Sequence, residues 1–66
     1  MADEMNEKRI CPVCGKHWFS DIFEVCPVCG WENDMIQEME PDLKGGANEM
    51  SLNEARIAYS EGRKVI

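Results

Sequence analysis

Four cysteines are the residues of this chain whose type and spacing most clearly indicate chemistry. They occur in two copies of one motif, Cys11-Pro-Val-Cys14-Gly and Cys26-Pro-Val-Cys29-Gly, and eleven residues separate Cys14 from Cys26. Two such pairs are typical of a tetrahedral four-thiolate metal site. A tight turn can bring both thiolates of a pair to one cation, because proline fixes φ and the glycine accepts a positive φ. We therefore predict that all four cysteines bind one metal ion.

Zinc is the predicted metal, and iron is the alternative. Four thiolates close the coordination sphere of zinc, so the ion would be structural and not catalytic. Rubredoxins bind iron for electron transfer with the same kind of pairs, and thiolates accept either metal. Rubredoxins place their second pair much farther along the chain, which favours zinc here. His17 lies three residues after Cys14, but we interpret it as a surface residue, because four thiolates complete the site.

Size and charge limit the possible functions. A chain of 66 residues forms one domain with a small core, and structural zinc adds an apparent ~10–16 kcal/mol. Folding should therefore depend on the metal. Seven basic and thirteen acidic residues give a net charge of −6, and this balance argues against nucleic-acid binding, which needs clustered lysines and arginines.

The expected location of the protein is the cytoplasm. The N-terminal residues are acidic and do not resemble a signal peptide, and no apolar stretch of the sequence is long enough to span a membrane. Two disulfides are the alternative use of four cysteines in a secreted protein, and the paired spacing favours reduced, metal-bound thiolates instead.

The sequence predicts a flexible tail over 1–8 and one domain over 9–66. This domain divides into a metal module (9–31), an acidic loop (32–50) and a helix (51–62). Residues 16–19 and 22–25 should form a short β-hairpin with its turn at Ser20-Asp21. Trp31 should pack over the metal site. The hairpin should shield the sulfurs with one apolar face, formed by Trp18, Phe19, Ile22, Phe23 and Val25.

The C-terminal helix has the clearest local pattern after the cysteines. Ser51 and Glu54 form a predicted capping box, and Gly62 and the basic residues after it suit the helix end. The pattern predicts a helix over about 52–61 that packs on the metal module. Its apolar stripe consists of Leu52, Ala55, Ala58 and Tyr59.

The acidic loop carries two further expectations. A helical turn over 34–39 should dock Met35, Ile36 and Met39. The segment 45–48 is interpreted as a bend and not an anion site, because it lacks a phosphate-binding motif. A solvated acidic surface is expected for the loop carboxylates, while a hydrolytic site is the alternative. The carboxylates concerned are Glu32, Asp34, Asp42 and Glu49.

The order of these motifs closely resembles the bacterial cysteine-rich CPCC domain family. The resemblance runs from about residue 10 to residue 62 and includes both cysteine motifs, Trp31-Glu-Asn-Asp34, Pro41-Asp42, the segment 45–48 and the segment 51–56. Many members have a third cysteine in the first motif, where this chain has Val13. The resemblance implies a small metal-binding domain and no particular reaction.

Together these patterns predict a small metal-stabilised α+β domain: a zinc ribbon with two cysteine knuckles, a short hairpin and a C-terminal helix. The leading functional hypothesis is an interaction module that presents its acidic loop and helix to an unidentified protein or a basic surface. An iron electron carrier and a hydrolase are the alternatives.

Overall fold

The computed structural model describes residues 9–66, so the predicted tail over 1–8 lies outside the described residues. The elements are strands β1 (Arg9–Ile10) and β2 (Trp18–Phe19), then helices α1 (Met35–Met39) and α2 (Leu52–Ser60). The predicted α+β class with a small hairpin and a C-terminal helix is confirmed. Neither helix within residues 9–66 has the length and apolar character needed to cross a bilayer.

The hairpin encloses the first cysteine motif instead of joining the two motifs. Strands β1 and β2 are antiparallel, with Arg9 opposite Phe19 and Ile10 opposite Trp18. The predicted hairpin over 16–25 is therefore wrong. The knuckle itself reverses the chain, so the residues before and after it pair with each other. The second knuckle repeats this arrangement through a bridge between Val25 and Glu32.

The predicted apolar face of the hairpin does not form. Phe19 is buried, whereas the other four residues assigned to this face are more than half exposed. Neighbouring residues of a strand point to opposite faces, so Trp18 lies beside Ile10 on the outer face while Phe19 points inward. Trp31 is fully buried in the same cluster as Cys11 and Cys26, in agreement with its predicted packing.

Helix α2 packs on the metal module as predicted. Leu52, Ala55 and Ala58 are buried in one cluster with Phe19 and Trp31. Both bonds of the capping box are present: the Glu54 N–H donates to the Ser51 hydroxyl, and the Ser51 N–H donates to the Glu54 carboxylate. The helix ends at Ser60 and Gly62 follows with φ of 76°.

Helix α1 occurs where a helical turn was predicted, but it docks through a different side chain. Gln37 is fully buried, while Met35, Ile36 and Met39 are 37%, 62% and 77% exposed. The prediction that these three apolar residues would dock is therefore wrong. Gln37 is buried because its side-chain amide forms hydrogen bonds with backbone groups of the following loop.

A polar network orders the region predicted as an acidic loop. The Gln37 amide nitrogen donates to the carbonyls of Leu43, Asn48 and Met50, and its oxygen accepts from the backbone and side chain of Asn48. Gly46 lies against this network, where an added Cβ would come within 2.8 Å of the Gln37 amide carbon. The glycine therefore permits the close approach of loop and helix.

Asp34 is also part of this folded region. It is buried, and its carboxylate accepts from the backbone N–H groups of Ile36, Gln37 and Ala47. The expectation of a solvated carboxylate is wrong for this residue. Its carboxylate oxygens accept hydrogen bonds from backbone N–H groups of the helix and the loop and not from solvent alone.

Candidate metal centre

The four sulfur atoms lie within 4.8 Å of one another. The two shortest separations join the knuckles, with Sγ–Sγ distances of 3.5 Å for Cys11 and Cys29 and 3.6 Å for Cys14 and Cys26. Four sulfurs at ~2.3 Å from one tetrahedral zinc would lie about 3.8 Å apart. The structure thus brings all four predicted ligands into a cluster that can bind one metal ion.

Both knuckles use the same backbone geometry, as their repeated sequence predicts. The Gly15 N–H donates to the Cys11 carbonyl and the Gly30 N–H donates to the Cys26 carbonyl, each at 2.9 Å. Both glycines have positive φ, 69° and 94°. A second bond closes each turn, from Cys11 N–H to His17 and from Cys26 N–H to the Trp31 carbonyl. These turns direct both thiols of each motif to one point.

The cluster has a buried side and a more accessible side. Cys11 and Cys26 are each 1% exposed, whereas Cys14 and Cys29 are half-buried. Burial raises the pKa of the Cys11 and Cys29 thiols. At Cys26 burial also raises the pKa, but the backbone N–H groups of Cys29 and Val28, together with the thiols of Cys14 and Cys29, outweigh burial and the pKa falls to about 7. Such donors stabilise the thiolate, which is the form that binds metal.

His17 lies outside the cysteine cluster and interacts with Glu24 instead. Its Nε2 atom pairs with one oxygen of the Glu24 carboxylate, while the Ser20 N–H donates to the other oxygen at 2.9 Å. The hydrogen bond from His17 and the donors of Ser20 lower the pKa of Glu24 to about 2. This pair connects the residues that follow the first knuckle to the approach to the second knuckle.

The loop carboxylates do not converge. Asp34 accepts backbone N–H groups, and Asp42 accepts from the side-chain amide of Asn53 at 2.9 Å. Among residues 9–66, the four cysteines are the one group of three or more cysteine, histidine or acidic side chains close enough to share a metal ion. This arrangement gives no support to the hydrolase alternative.

Sequence reasoning missed Gln37 and Asn48, which position the exit from the second knuckle. The Asn48 side chain accepts from the Glu32 N–H and donates to the Glu32 carbonyl, both at 2.8 Å. A glutamine that follows two apolar residues and a Gly-Gly pair shortly before an asparagine were the available signals. Neither signal identifies its partner, because most of these contacts join residues eleven or more positions apart.

Comparison with known protein families identifies the family of this chain. The sequence model of the family described as cysteine-rich CPCC matches residues 9–62. The chain belongs to this family. The match contains both knuckles, α1 and α2, so the CPCC resemblance predicted from the motifs is confirmed. None of the curated proteins compared with the chain matches it.

Proposed function

We propose that this CPCC domain is a zinc ribbon that acts as a protein-interaction module in the cytoplasm. In this proposal the thiolates of Cys11, Cys14, Cys26 and Cys29 bind one zinc ion. The observation that supports it is the cluster of four sulfurs within 4.8 Å, two of them in the hydrophobic core. Zinc would supply a structural cross-link there, because four protein ligands leave no position for substrate.

The position of the cluster supports a role in folding. Cys11 and Cys26 belong to the same buried cluster as Leu52 of α2 and Val65 near the C-terminal end. A metal bound by these cysteines would connect the two knuckles beneath the helix. The zinc-bound domain would then present a rigid surface of loops and helices to a partner.

Metal analysis tests the first half of the proposal. The chain should be purified from cells grown with both zinc and iron, then measured by elemental analysis and absorption spectroscopy. We expect one zinc per chain and no visible absorption band. Iron at one per chain, with the colour of a ferric tetrathiolate, would replace the proposal with the electron-carrier alternative.

Affinity capture tests the second half. The zinc-loaded chain should retain specific proteins from a cell extract, and the Cys11→Ser variant should lose them, because the variant cannot complete the tetrathiolate site. A matched Ser60→Ala variant, altered at an exposed position of α2, should retain them. Equal capture by the Cys11→Ser variant would contradict a metal-stabilised interaction module.

A further inference from the structure

Helix α1 exposes its apolar side chains and buries a polar one. Residues four apart share a helix face, so Met35 and Met39 lie together, opposite the fully buried Gln37. Ile36 lies beside them and is 62% exposed. A helix that folds for stability alone normally has the reverse pattern. The exposed side of α1 therefore has a composition that folding of this domain does not explain.

A second apolar segment extends this face. Ile22 and Met35 line one shallow depression, together with Asp21 and the buried Asn33. Ile22 is 59% exposed. The Phe23 N–H donates to the Asn33 carbonyl at 2.8 Å and connects the segment to the start of α1. We call Ile22, Met35, Ile36 and Met39 the apolar α1 surface.

Most of the charged residues around the apolar α1 surface are acidic. Residues 17–43, which contain all four of its members, include seven aspartates and glutamates and no lysine or arginine. Asp21 adjoins Ile22, and Glu40 adjoins Met39 and is exposed. Arg9 also lines the depression, so the surface is bordered only by acidic charges along α1 and not at the depression. We call the border along α1 the acidic rim. This rim would attract a basic partner and repel phosphates and a second copy of the chain.

We propose that the apolar α1 surface binds a basic amphipathic helix of a partner protein, a proposal that rests on the interaction function proposed above. Methionine side chains are flexible and polarisable, and they adapt to varied apolar surfaces. A helix with apolar residues at positions i, i+3, i+4 and i+7 and with lysines or arginines at its edges complements both the apolar surface and its carboxylates.

A designed peptide tests this surface directly. The zinc-loaded, ¹⁵N-labelled chain is titrated with a synthetic peptide of leucine and lysine, about 15 residues long, whose leucines have helical spacing. A scrambled peptide of the same composition and a leucine–glutamate peptide are the controls. We expect saturable shifts at the four residues of the surface, weaker binding at high salt, and no comparable binding of the control peptides.

Variants show whether binding uses the proposed residues. Ile36→Ser and Met39→Ser alter exposed side chains, so the fold should persist, and each should weaken peptide binding roughly tenfold. Ile57→Ser is the matched control, because Ile57 is 53% exposed on α2, outside the surface. The Ile57→Ser variant should bind the peptide with the same affinity as the unmodified chain.

Each other outcome overturns the inference. Shifts centred on α2, or equal affinities for all three variants, would place binding elsewhere. Preference for the leucine–glutamate peptide would contradict the charge argument. A dimer in sedimentation that Met39→Ser dissociates would identify a second copy as the occupant. Zinc content and capture from extract are measured separately, so failure of the peptide arm leaves the proposed function standing.

Discussion

Helices α1 and α2 are anchored by opposite means. Helix α2 buries an apolar stripe of Leu52, Ala55 and Ala58 against the metal module. Helix α1 buries Gln37 and leaves its apolar residues in solvent. Apolar burial is not directional, so α2 needs only a complementary surface. The Gln37 amide requires partners at fixed positions, so α1 depends on the exact course of the loop around it.

The difference shows how so small a domain can keep an apolar surface exposed. If Met35, Ile36 and Met39 were buried, α1 would be held by the core, and no apolar face would remain on that side. Because five hydrogen bonds of Gln37 hold the helix instead, its apolar residues are available to a partner. The variants below test each half of this comparison.

Removal of the proposed zinc ion should have the largest effect and should affect both helices. Structural zinc contributes an apparent ~10–16 kcal/mol to folding, which is as large as the whole net stability of a typical domain, ~5–15 kcal/mol. A strong chelator should therefore collapse the amide dispersion of the NMR spectrum, and excess zinc should restore it. A dispersed spectrum from verified metal-free protein would contradict this dependence. Loss of α1 signals alone would show that α2 folds independently.

Leu52→Ala tests the apolar anchor of α2. Leu52 is 2% exposed, so the substitution removes buried surface and leaves a cavity, and we expect a loss of ~2–5 kcal/mol in the free energy of unfolding. Ile57→Ala, on the exposed side of the same helix, should cost less than about 0.5 kcal/mol. Denaturant unfolding of the zinc-loaded variants measures both. Equal losses of stability in the two variants would show that the apolar residues of α2 act through helix propensity and not through packing on the metal module.

Gln37→Leu tests the polar anchor of α1. The leucine fits the volume but leaves the partners of the amide unpaired, and each buried unpaired group costs ~1–3 kcal/mol. We expect the variant to be less stable although leucine is more hydrophobic. Met39→Leu is the matched control and should change stability little, because Met39 is 77% exposed. A stabilised Gln37→Leu variant would show that α1 can be anchored by apolar contacts after all.

These two helices also mark what the sequence could predict. The capping box and the stripe of α2 follow from spacing within a few residues, and the cysteine cluster follows from the repetition of one motif, Cys-Pro-Val-Cys-Gly. The docking of α1 could not be predicted in this way, since Gln37 pairs with Asn48, eleven positions away. The hairpin prediction failed for a related reason: strand propensity identified Trp18 and Phe19 but not β1 as their partner.

Asp34→Ala should have a smaller effect than Gln37→Leu, about 0.5–2 kcal/mol, typical of an N-cap. The Ala47 N–H and the first turn of α1 lower the pKa of Asp34 below its ordinary value of 3.8. A lowered folded-state pKa means that the contribution is complete well above the ordinary value and is lost progressively as pH falls from the ordinary value through the lowered one. The difference in the free energy of unfolding between the unmodified chain and the Asp34→Ala variant should thus stay constant from about pH 8 to pH 6. A difference that shrinks over this range would contradict the lowered pKa.

Ser51→Ala should have the smallest effect, because its hydroxyl accepts one backbone N–H, whereas the Asp34 carboxylate accepts three. We expect a loss of about 1 kcal/mol, measured by denaturant unfolding beside Leu52→Ala. Ser51→Asp is the matched control and should restore most of the loss, since aspartate is also a good N-cap. The order of the variants decides the comparison of the two helices. If Ser51→Ala costs more than Leu52→Ala, α2 depends on its cap and not on its apolar stripe, and the contrast with α1 fails.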